Sequence, residues 1–254
     1  DASSNGDDDA LLWPQALDRL AARLKQAGSS KVVVVASASL TLEDLWGVKR
    51  LVAEKLPGGE IIVPEKRRGA DDAILIRADK SPNATGAALL DLPIDTGNRR
   101  LTAALAEAKD GKVDAILLLG GDALPDDPAM TAAAGLIRAA GRKAFVCAFT
   151  PFDVPAMRGA ADLHLPAAAY GEFEGTWINF EGRAQRVRRA VTPKFPAMEG
   201  WRLAAELITR MGGEAYWGSG TEVLGEIAAA VPRLKGLTPR AIGSQGIRPQ
   251  DIVP

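Results

Sequence analysis

Apolar residues occur along the chain in short unbroken runs that do not alternate with polar residues. Strands that are covered on both faces have this pattern, and they usually lie in parallel sheets. The pattern therefore predicts five buried strands, at residues 32–36, 60–64, 73–76, 115–119 and 144–149.

Between these runs the apolar residues recur at the spacing of one helix face. Thr41 and Asp44 have the spacing of an N-cap at the start of one such segment. Stripes of this kind predict helices before a stop at Gly28, over 41–56, over 101–108 before Gly111, after Asp127 and Pro128, over 200–213 and over 220–232.

Predicted helices and strands alternate from about residue 16 to residue 149. This order is typical of an α/β fold with a Rossmann-like, mostly parallel sheet and flanking helices. The later residues predict a β-hairpin and C-terminal helices. We therefore predict a flexible acidic lead-in at 1–9, one α/β domain at 10–235 and an extended C-terminal tail at 236–254. The Pro-, Gly- and Asn-containing stretch 78–98 predicts a long ordered loop.

The composition of the chain limits the partners and the metal or cluster sites that we expect. Lys and Arg number 31 and Asp and Glu number 32, for a net charge of −1, so we expect no nucleic-acid partner. The apolar runs are too short for a membrane span. One cysteine and one histidine cannot form an iron–sulfur cluster, a zinc site of the Cys/His type or an intrachain disulfide. Because the chain opens on Asp1 instead of Met, we expect a fragment or a processed chain.

A glycine pair follows one predicted strand, in the segment LLLGGDALPDDP at 117–128. Ligands bind at the carboxyl ends of parallel strands, and glycines let a backbone approach a phosphate. Gly120, Gly121 and Asp122 are therefore candidates, although the acidic residues favour a tight turn with Asp caps. Lys80 and Asn83 are weaker candidates in a turn-forming segment.

Two residues that often carry chemistry lie in predicted strands without a partner motif. We interpret His164 as a hydrogen-bonded strand residue. Cys147 lies in an apolar run, and we interpret it as an inert buried thiol. Neither one predicts a catalytic or metal site.

The segment YGEFEGTWINFEGRAQRVRRAV at 170–191 contains several acids. Its pattern predicts an extended lead-in and a hairpin that turns at Glu181 and Gly182. Glu172 and Glu174 could act as an acid/base pair. No feature of the sequence marks either carboxylate as desolvated, so we favour a structural hairpin.

The segment 161–193 resembles a signature of the molybdopterin oxidoreductase superfamily, ADxxLPxxxxxExxGTxxNxEGRxQ, with Glu172 as the preceding acid. The other matching positions are Ala161, Asp162, Leu165, Pro166, Gly175, Thr176, Asn179, Glu181, Gly182, Arg183 and Gln185. Weaker likenesses lie at 12–24, at 117–128 and at Trp201. The resemblance implies the fold of that superfamily. It also implies a vestigial pterin cleft with the candidates Gly120, Gly121, Asp122, Asn179, Glu181, Gly182 and Arg183.

Within the superfamily, the segments 41–56 and 68–87 are similar to the large G subunit of the respiratory NADH:quinone oxidoreductase, complex I. The likeness implies a non-catalytic scaffold domain in the peripheral arm, with the other complex I subunits as partners. It also implies a place on the cytoplasmic side of a bacterial inner membrane. Iron–sulfur clusters would lie in a missing N-terminal part or in partner subunits. Molybdopterin is not expected, because Asp122 stands where pterin enzymes have an amide.

Two alternatives stay open. The chain could be the pterin-binding part of a true molybdoenzyme such as a formate dehydrogenase, in which Gly120, Gly121 and residues 179–183 would contact the pterin dinucleotide. It could also be a free-standing Rossmann-like protein that binds a nucleotide.

Overall fold

Parallel strands form the central sheet. The computed structural model describes residues 11–28, 31–66, 69–121, 143–152, 160–193 and 195–252. Within those residues the sheet strands are β1 (Val32–Ala36), β2 (Gly59–Pro64), β3 (Ile94–Asp95), β4 (Ala115–Leu119), β5 (Phe145–Thr150) and β6 (Leu163–Pro166). They lie in the order β3-β2-β1-β4-β5-β6, and each neighbouring pair is parallel. The predicted α/β class with a mostly parallel sheet is confirmed.

Helices cover both faces of this sheet. Among the described residues they are α1 (Trp13–Ala27), α2 (Leu42–Lys55), α3 (Ala84–Leu89), α4 (Arg99–Lys109), α5 (Gly200–Arg210), α6 (Gly220–Ala230) and α7 (Pro239–Ile242). Short 3-10 turns lie at Thr96–Asn98, Pro232–Leu234 and Pro249–Asp251. The predicted stripes of α1, α2, α4, α5 and α6 are confirmed. The helix predicted after Asp127 and Pro128 lies outside the described residues.

Successive strand residues point into two different apolar cores, because side chains alternate between the faces of a sheet. Val34 and Leu117 are buried in the larger core, together with α1, α2, α5 and α6. Val33 and Ile116 are buried in the smaller core beneath α4. Burial on both faces explains why these strands appear in the sequence as unbroken apolar runs.

The run at 73–76 is not the buried strand that we predicted. Ile74 is 88% exposed and Leu75 is 82% exposed. The Oδ1 atom of Asp72 accepts hydrogen bonds from the backbone N–H groups of Ile74, Leu75 and Ile76, at 2.9, 2.6 and 2.8 Å. These local bonds satisfy donors that a strand would pair with its neighbour. The position beside β2 is taken by β3 instead.

The stretch 78–98 is also not the long loop that we predicted. It contains α3, β3 and the turn at Thr96–Asn98. Leu90 and Leu92 are buried at 0% and 8% exposure, so this segment contributes to the core. Its helix has only six residues, too few to show a clear apolar stripe in the sequence.

A hairpin lies apart from the main sheet, as predicted. Its strands β7 (Gly175–Ile178) and β8 (Ala184–Val187) are antiparallel. The segment predicted as an extended tail contains α7, and Leu237 and Ile242 in it are buried. Ile247 and Ala184 exchange two backbone hydrogen bonds of 2.7 and 3.0 Å, which attach this segment to β8. The domain boundaries themselves stay predictions. None of the helices in the described residues is long and apolar enough to cross a membrane.

Candidate functional site

The candidate site is a pocket at the carboxyl ends of β1 and β4. The chain builds the sheet outward in two directions from these neighbouring strands, and open α/β sheets bind ligands at such a point. The pocket has a volume of about 410 Å³. Its lining includes Ser39, Gly120 and Gly121 from the turns after the two strands, and Tyr170, Phe173 and Trp177 from the hairpin and its lead-in.

Three aromatic rings form one wall of this pocket. Tyr170 and Trp177 are stacked, with ring centroids 5.8 Å apart and an interplanar angle of 9°. Phe173 meets Trp177 edge-on, at 6.4 Å and 69°. The Nε1 atom of Trp177 is buried and has no hydrogen-bond acceptor within the part of the chain that the structure describes. The wall is therefore mainly aromatic, and the enclosed indole N–H of Trp177 is not open to the pocket.

Local structure favours glycine at both candidate positions. Gly120 has φ of 100°, which residues with a side chain rarely adopt, and its N–H donates to Phe149 O at 2.9 Å. A Cβ on Gly121 would lie 3.2 Å from two ring atoms of Pro151. Asp122 lies outside the described residues. The role of these positions in cofactor binding stays a prediction.

The other four candidates build the hairpin turn. Asn179 Oδ1 accepts from the backbone N–H groups of Glu181 and Arg183, each at 3.0 Å. Gly182 has φ of 75°, which suits glycine. Arg183 Nη1 donates to Gly246 O at 3.1 Å, so it holds the turn against the C-terminal segment. The described lining of the pocket contains Gly120 and Gly121 but none of these four residues.

A buried carboxylate connects the hairpin to the start of α2. Glu43 Oε2 accepts from Thr176 N and Glu43 Oε1 accepts from Thr176 Oγ1, both at 2.8 Å. Glu43 is 2% exposed, and burial raises the pKa of its carboxyl to about 7. Sequence reasoning missed Glu43. The sequence feature that could have pointed to it is a second acid beside the capping Asp44. Its hydrogen-bond partner Thr176, however, lies 133 residues away in the chain.

Two more buried polar side chains continue this link. Asp44 Oδ1 accepts from Trp201 N at 2.8 Å, at the start of α5, while Asp44 Oδ2 accepts from Thr41 N at 3.1 Å. Burial raises the pKa of Asp44. Asn83 Oδ1 accepts from Ile178 N at 2.8 Å, and Asn83 Nδ2 donates to Leu40 O at 2.9 Å. Asn83, a weak ligand candidate in the sequence, therefore joins the hairpin to the turn after β1.

The surroundings of the remaining candidate residues do not indicate a catalytic role. Glu172 Oε2 accepts from Ala169 N at 2.9 Å in the lead-in to the hairpin. Cys147 is buried in β5, and burial raises the pKa of its thiol to about 12, as expected for an inert thiol. His164 is exposed in β6. Lys80 Nζ donates to Arg77 O. Within the described residues no group of three or more His, Cys, Asp or Glu side chains has metal-binding geometry.

Comparison with known sequences agrees with this architecture. A model of the molybdopterin oxidoreductase family matches residues 73–210, which is more than half of the 254-residue chain. The chain belongs to the molybdopterin oxidoreductase family. The signature at 161–193 lies within the matched range, so the family predicted from it is confirmed.

Individual members of the family match over different lengths. The G subunit of the NADH-quinone oxidoreductase of Escherichia coli (strain K12) is 29% identical over 217 residues, which cover 83% of this chain and 22% of that protein. Formate dehydrogenase H of the same strain is 28% identical over 155 residues, covering 61% and 21%. The alpha subunit of the F420-dependent formate dehydrogenase 2 of Methanococcus maripaludis is 36% identical over 90 residues, covering 35% and 13%. The chain spans about a fifth or less of the length of these relatives.

Proposed function

We propose that this chain is a non-catalytic scaffold domain of an NADH:quinone oxidoreductase, within a protein of the G-subunit type. The similarity to the E. coli G subunit over 83% of the chain carries the proposal. The single cysteine and single histidine agree with it, because iron–sulfur clusters need several thiolate or imidazole ligands. Electron transfer would then run through clusters held in a preceding part of the protein or in partner subunits.

The described residues of the pocket offer little support for the cofactor that the family name implies. A pterin dinucleotide carries a diphosphate, which proteins hold with basic side chains or helix N-termini. No Lys or Arg is among the described residues that line the pocket, and aromatic rings form one of its walls. We therefore propose that the domain holds no pterin dinucleotide.

The buried links between α2, the hairpin and α5 support a scaffold role. Glu43, Asp44 and Asn83 each accept a backbone hydrogen bond from a distant segment. Buried polar side chains in such positions are costly unless their hydrogen bonds are complete, so they specify one arrangement of these elements. A fixed arrangement is what a surface needs to hold other subunits. The proposed partners are other subunits of a complex I peripheral arm on the cytoplasmic face of the membrane.

The test is to purify the tagged protein from the cells that encode it. We expect it to co-purify with NADH-oxidising, quinone-reducing activity and with iron–sulfur signals in electron paramagnetic resonance. Elemental analysis should find no stoichiometric molybdenum. Co-purification of formate dehydrogenase activity with molybdenum would instead identify a molybdoenzyme, which the similarity to formate dehydrogenase H favours.

Variants of the hairpin separate a scaffold from a catalytic site. Glu172→Gln and Glu174→Gln should leave electron transfer in the assembled complex nearly intact. Gly182→Val should reduce the amount of assembled complex, because a β-branched residue resists φ of 75°. Loss of activity in the Gln variants with assembly unchanged would contradict the scaffold proposal.

A further inference from the structure

We propose that the loop at 69–78 is a docking element: its aliphatic side chains at 74–76 enter an apolar pocket of another protein subunit, and a carboxylate of that subunit binds Arg77. The inference takes from the proposed function only that the chain works in a multisubunit complex. It rests on the exposure of the loop, on its internal hydrogen bonds and on the position of Arg77 over Phe180.

The loop presents apolar side chains to solvent. Every residue from 71 to 77 is exposed, and the side chains of Ile74, Leu75 and Ile76 are each more than half exposed. The ring of Phe180, in the turn of the hairpin, is also more than half exposed. Single exposed aliphatic residues are ordinary, whereas adjacent ones form the apolar patches that mark interaction sites.

Hydrogen bonds within the loop fix its shape. Gly69 N donates to Ala78 O at 3.1 Å and closes the base, and Asp72 N donates to Ile76 O at 3.0 Å nearer the tip. Asp72 Oδ1 also accepts the three backbone bonds described above. A loop that is already ordered loses less conformational entropy when a partner covers it. This preformed projection is the counterpart of a concave pocket.

Arg77 supplies the polar part of the surface. Its Cζ atom lies 5.3 Å from the centroid of the Phe180 ring. Within the described residues its guanidinium forms no ion pair and donates no hydrogen bond. The neighbouring residues Arg67 and Arg68 are cationic and cannot be its counter-ion. A guanidinium held in this way can bind a carboxylate through two parallel hydrogen bonds.

The charges of the loop favour a protein over a lipid surface. Residues 71–80 contain three acids and two bases, for a net charge of −1, whereas anionic lipid attracts segments with an excess of basic residues. The acids have partners nearby, since Asp71 Oδ1 accepts from Ala78 N at 2.5 Å and Asp79 Oδ1 accepts from Ser81 N at 2.8 Å. The attraction therefore comes from directed bonds of Arg77 and not from net charge.

The first test measures whether another subunit covers the loop. The tagged protein is purified with its partners from the cells that encode it, and the 254-residue chain is also purified alone. Hydroxyl-radical footprinting with mass spectrometry then reports the exposure of each side chain. We expect Ile74 and Leu75 to be oxidised at least about fivefold more slowly in the complex, because the core of an interface excludes water.

The second test measures whether this contact contributes to binding. Leu75→Ser should weaken the binding of the covering subunit at least about tenfold, because an apolar contact buried by the partner is lost. The matched control is Leu12→Ser, at a leucine that is also strongly exposed. Leu12 lies near β6, at the opposite end of the sheet from β2 and β3. The control should leave binding of that subunit unchanged, and thermal unfolding checks that both variants are folded.

The third test identifies the carboxylate. Arg77→Lys introduces a primary amine, which a water-soluble carbodiimide joins to a carboxylate only when the two are in contact. We expect mass spectrometry to find a crosslink from position 77 to an Asp or Glu of the covering subunit. Arg19→Lys is the matched control, because Arg19 is an exposed arginine on α1. It should give no crosslink to the same carboxylate.

Four results would overturn the proposal. They are purification of the protein without any partner, equal oxidation of Ile74 and Leu75 in the complex and in the chain alone, undiminished binding by Leu75→Ser, and a crosslink from position 77 that is absent or joins only copies of this chain. Binding of the chain to phosphatidylglycerol vesicles that depends on Leu75 would assign the loop to a lipid surface instead. A complex without NADH:quinone activity would contradict the proposed function and leave this inference standing, because none of the three measurements uses that activity.

Discussion

Acids are usually exposed and aliphatic residues are usually buried. The start of α2 is an exception to the first rule, and the loop at 69–78 is an exception to the second. At the start of α2 two acids are buried, Glu43 at 2% and Asp44 at 6% exposure. In the loop three consecutive aliphatic residues are exposed, at 74–76. Both arrangements depend on carboxylates that accept hydrogen bonds from backbone N–H groups.

The difference lies in how far along the chain the donors are. Glu43 and Asp44 bind donors 133 and 157 residues away, whereas the donors to Asp72 are two to four residues away. Burial raises the pKa of Glu43 to about 7, whereas hydrogen bonds from the backbone, that of Ile74 first, lower the pKa of Asp72. An acid therefore organises the global fold in one region and a local loop in the other.

The largest expected effect is that of Glu43→Ala. The variant leaves the N–H and hydroxyl groups of Thr176 unsatisfied in a buried site and opens a small cavity. We expect the free energy of unfolding to fall by about 2–4 kcal/mol, measured by urea denaturation. A loss below about 0.5 kcal/mol would show that the link between hairpin and helix contributes little.

The second prediction concerns pH. The pKa of Glu43 is about 7 in the folded protein and 4.5 in the reference state, so the unfolded state loses this proton first. Stability from this group is complete below about pH 4.5 and is lost as the pH rises through about 7. Glu43→Gln keeps an amide that can pair with Thr176 but does not titrate.

The measured quantity is the stability of the natural protein minus that of Glu43→Gln between about pH 4.5 and about pH 8. We expect this difference to decrease with rising pH by on the order of 2 kcal/mol. Asp44 is present in both proteins, so its own titration largely cancels. A difference that stays constant with pH would contradict the raised pKa.

The third prediction concerns the loop. Asp72→Ala removes an acceptor that serves three backbone N–H groups near water. We expect these amides to exchange with solvent at least about tenfold faster, while the free energy of unfolding changes by less than about 1 kcal/mol. Asp71→Ala is a related control, because Asp71 Oδ1 accepts from Ala78 N and not from residues 74–76. A large global destabilisation would mean that this loop belongs to the core.

The smallest expected effect is that of Leu75→Ser. Leu75 is 82% exposed, so its replacement should change the free energy of unfolding by no more than about 0.5 kcal/mol. Thermal unfolding monitored by circular dichroism is sufficient. A loss above about 1 kcal/mol would show that this side chain is buried in solution.

Much of the fold could be predicted from local pattern. The strands β1, β2, β4 and β5 follow from apolar runs, the main helices follow from their stripes, and the hairpin turn follows from the Glu181–Gly182 pair. The residues AILLL at 115–119 and AILI at 73–76 have almost the same composition, yet one segment is buried in the sheet and the other is exposed. An apolar run does not reveal whether other elements will cover it.

The site was less predictable, because its contacts connect distant parts of the chain. The family signature drew attention to the turn at 179–183, but that turn does not line the pocket. The aromatic wall lies within residues 170–191, yet a sequence does not tell which of its rings meet. Glu43 resembled an ordinary first-turn acid, since its donor is 133 residues later in the chain.

The bond between Glu43 and Thr176 also constrains the order of folding. A growing chain is synthesised at about 5–20 residues per second, so the 133 residues between these partners take roughly 7–27 s to appear. During that time the Glu43 carboxylate has no Thr176 from which to accept, and α2 cannot dock against the hairpin or α5. The hairpin can therefore join the start of α2 only after this delay, and a nascent chain that ends before Thr176 would still lack the acid's partner.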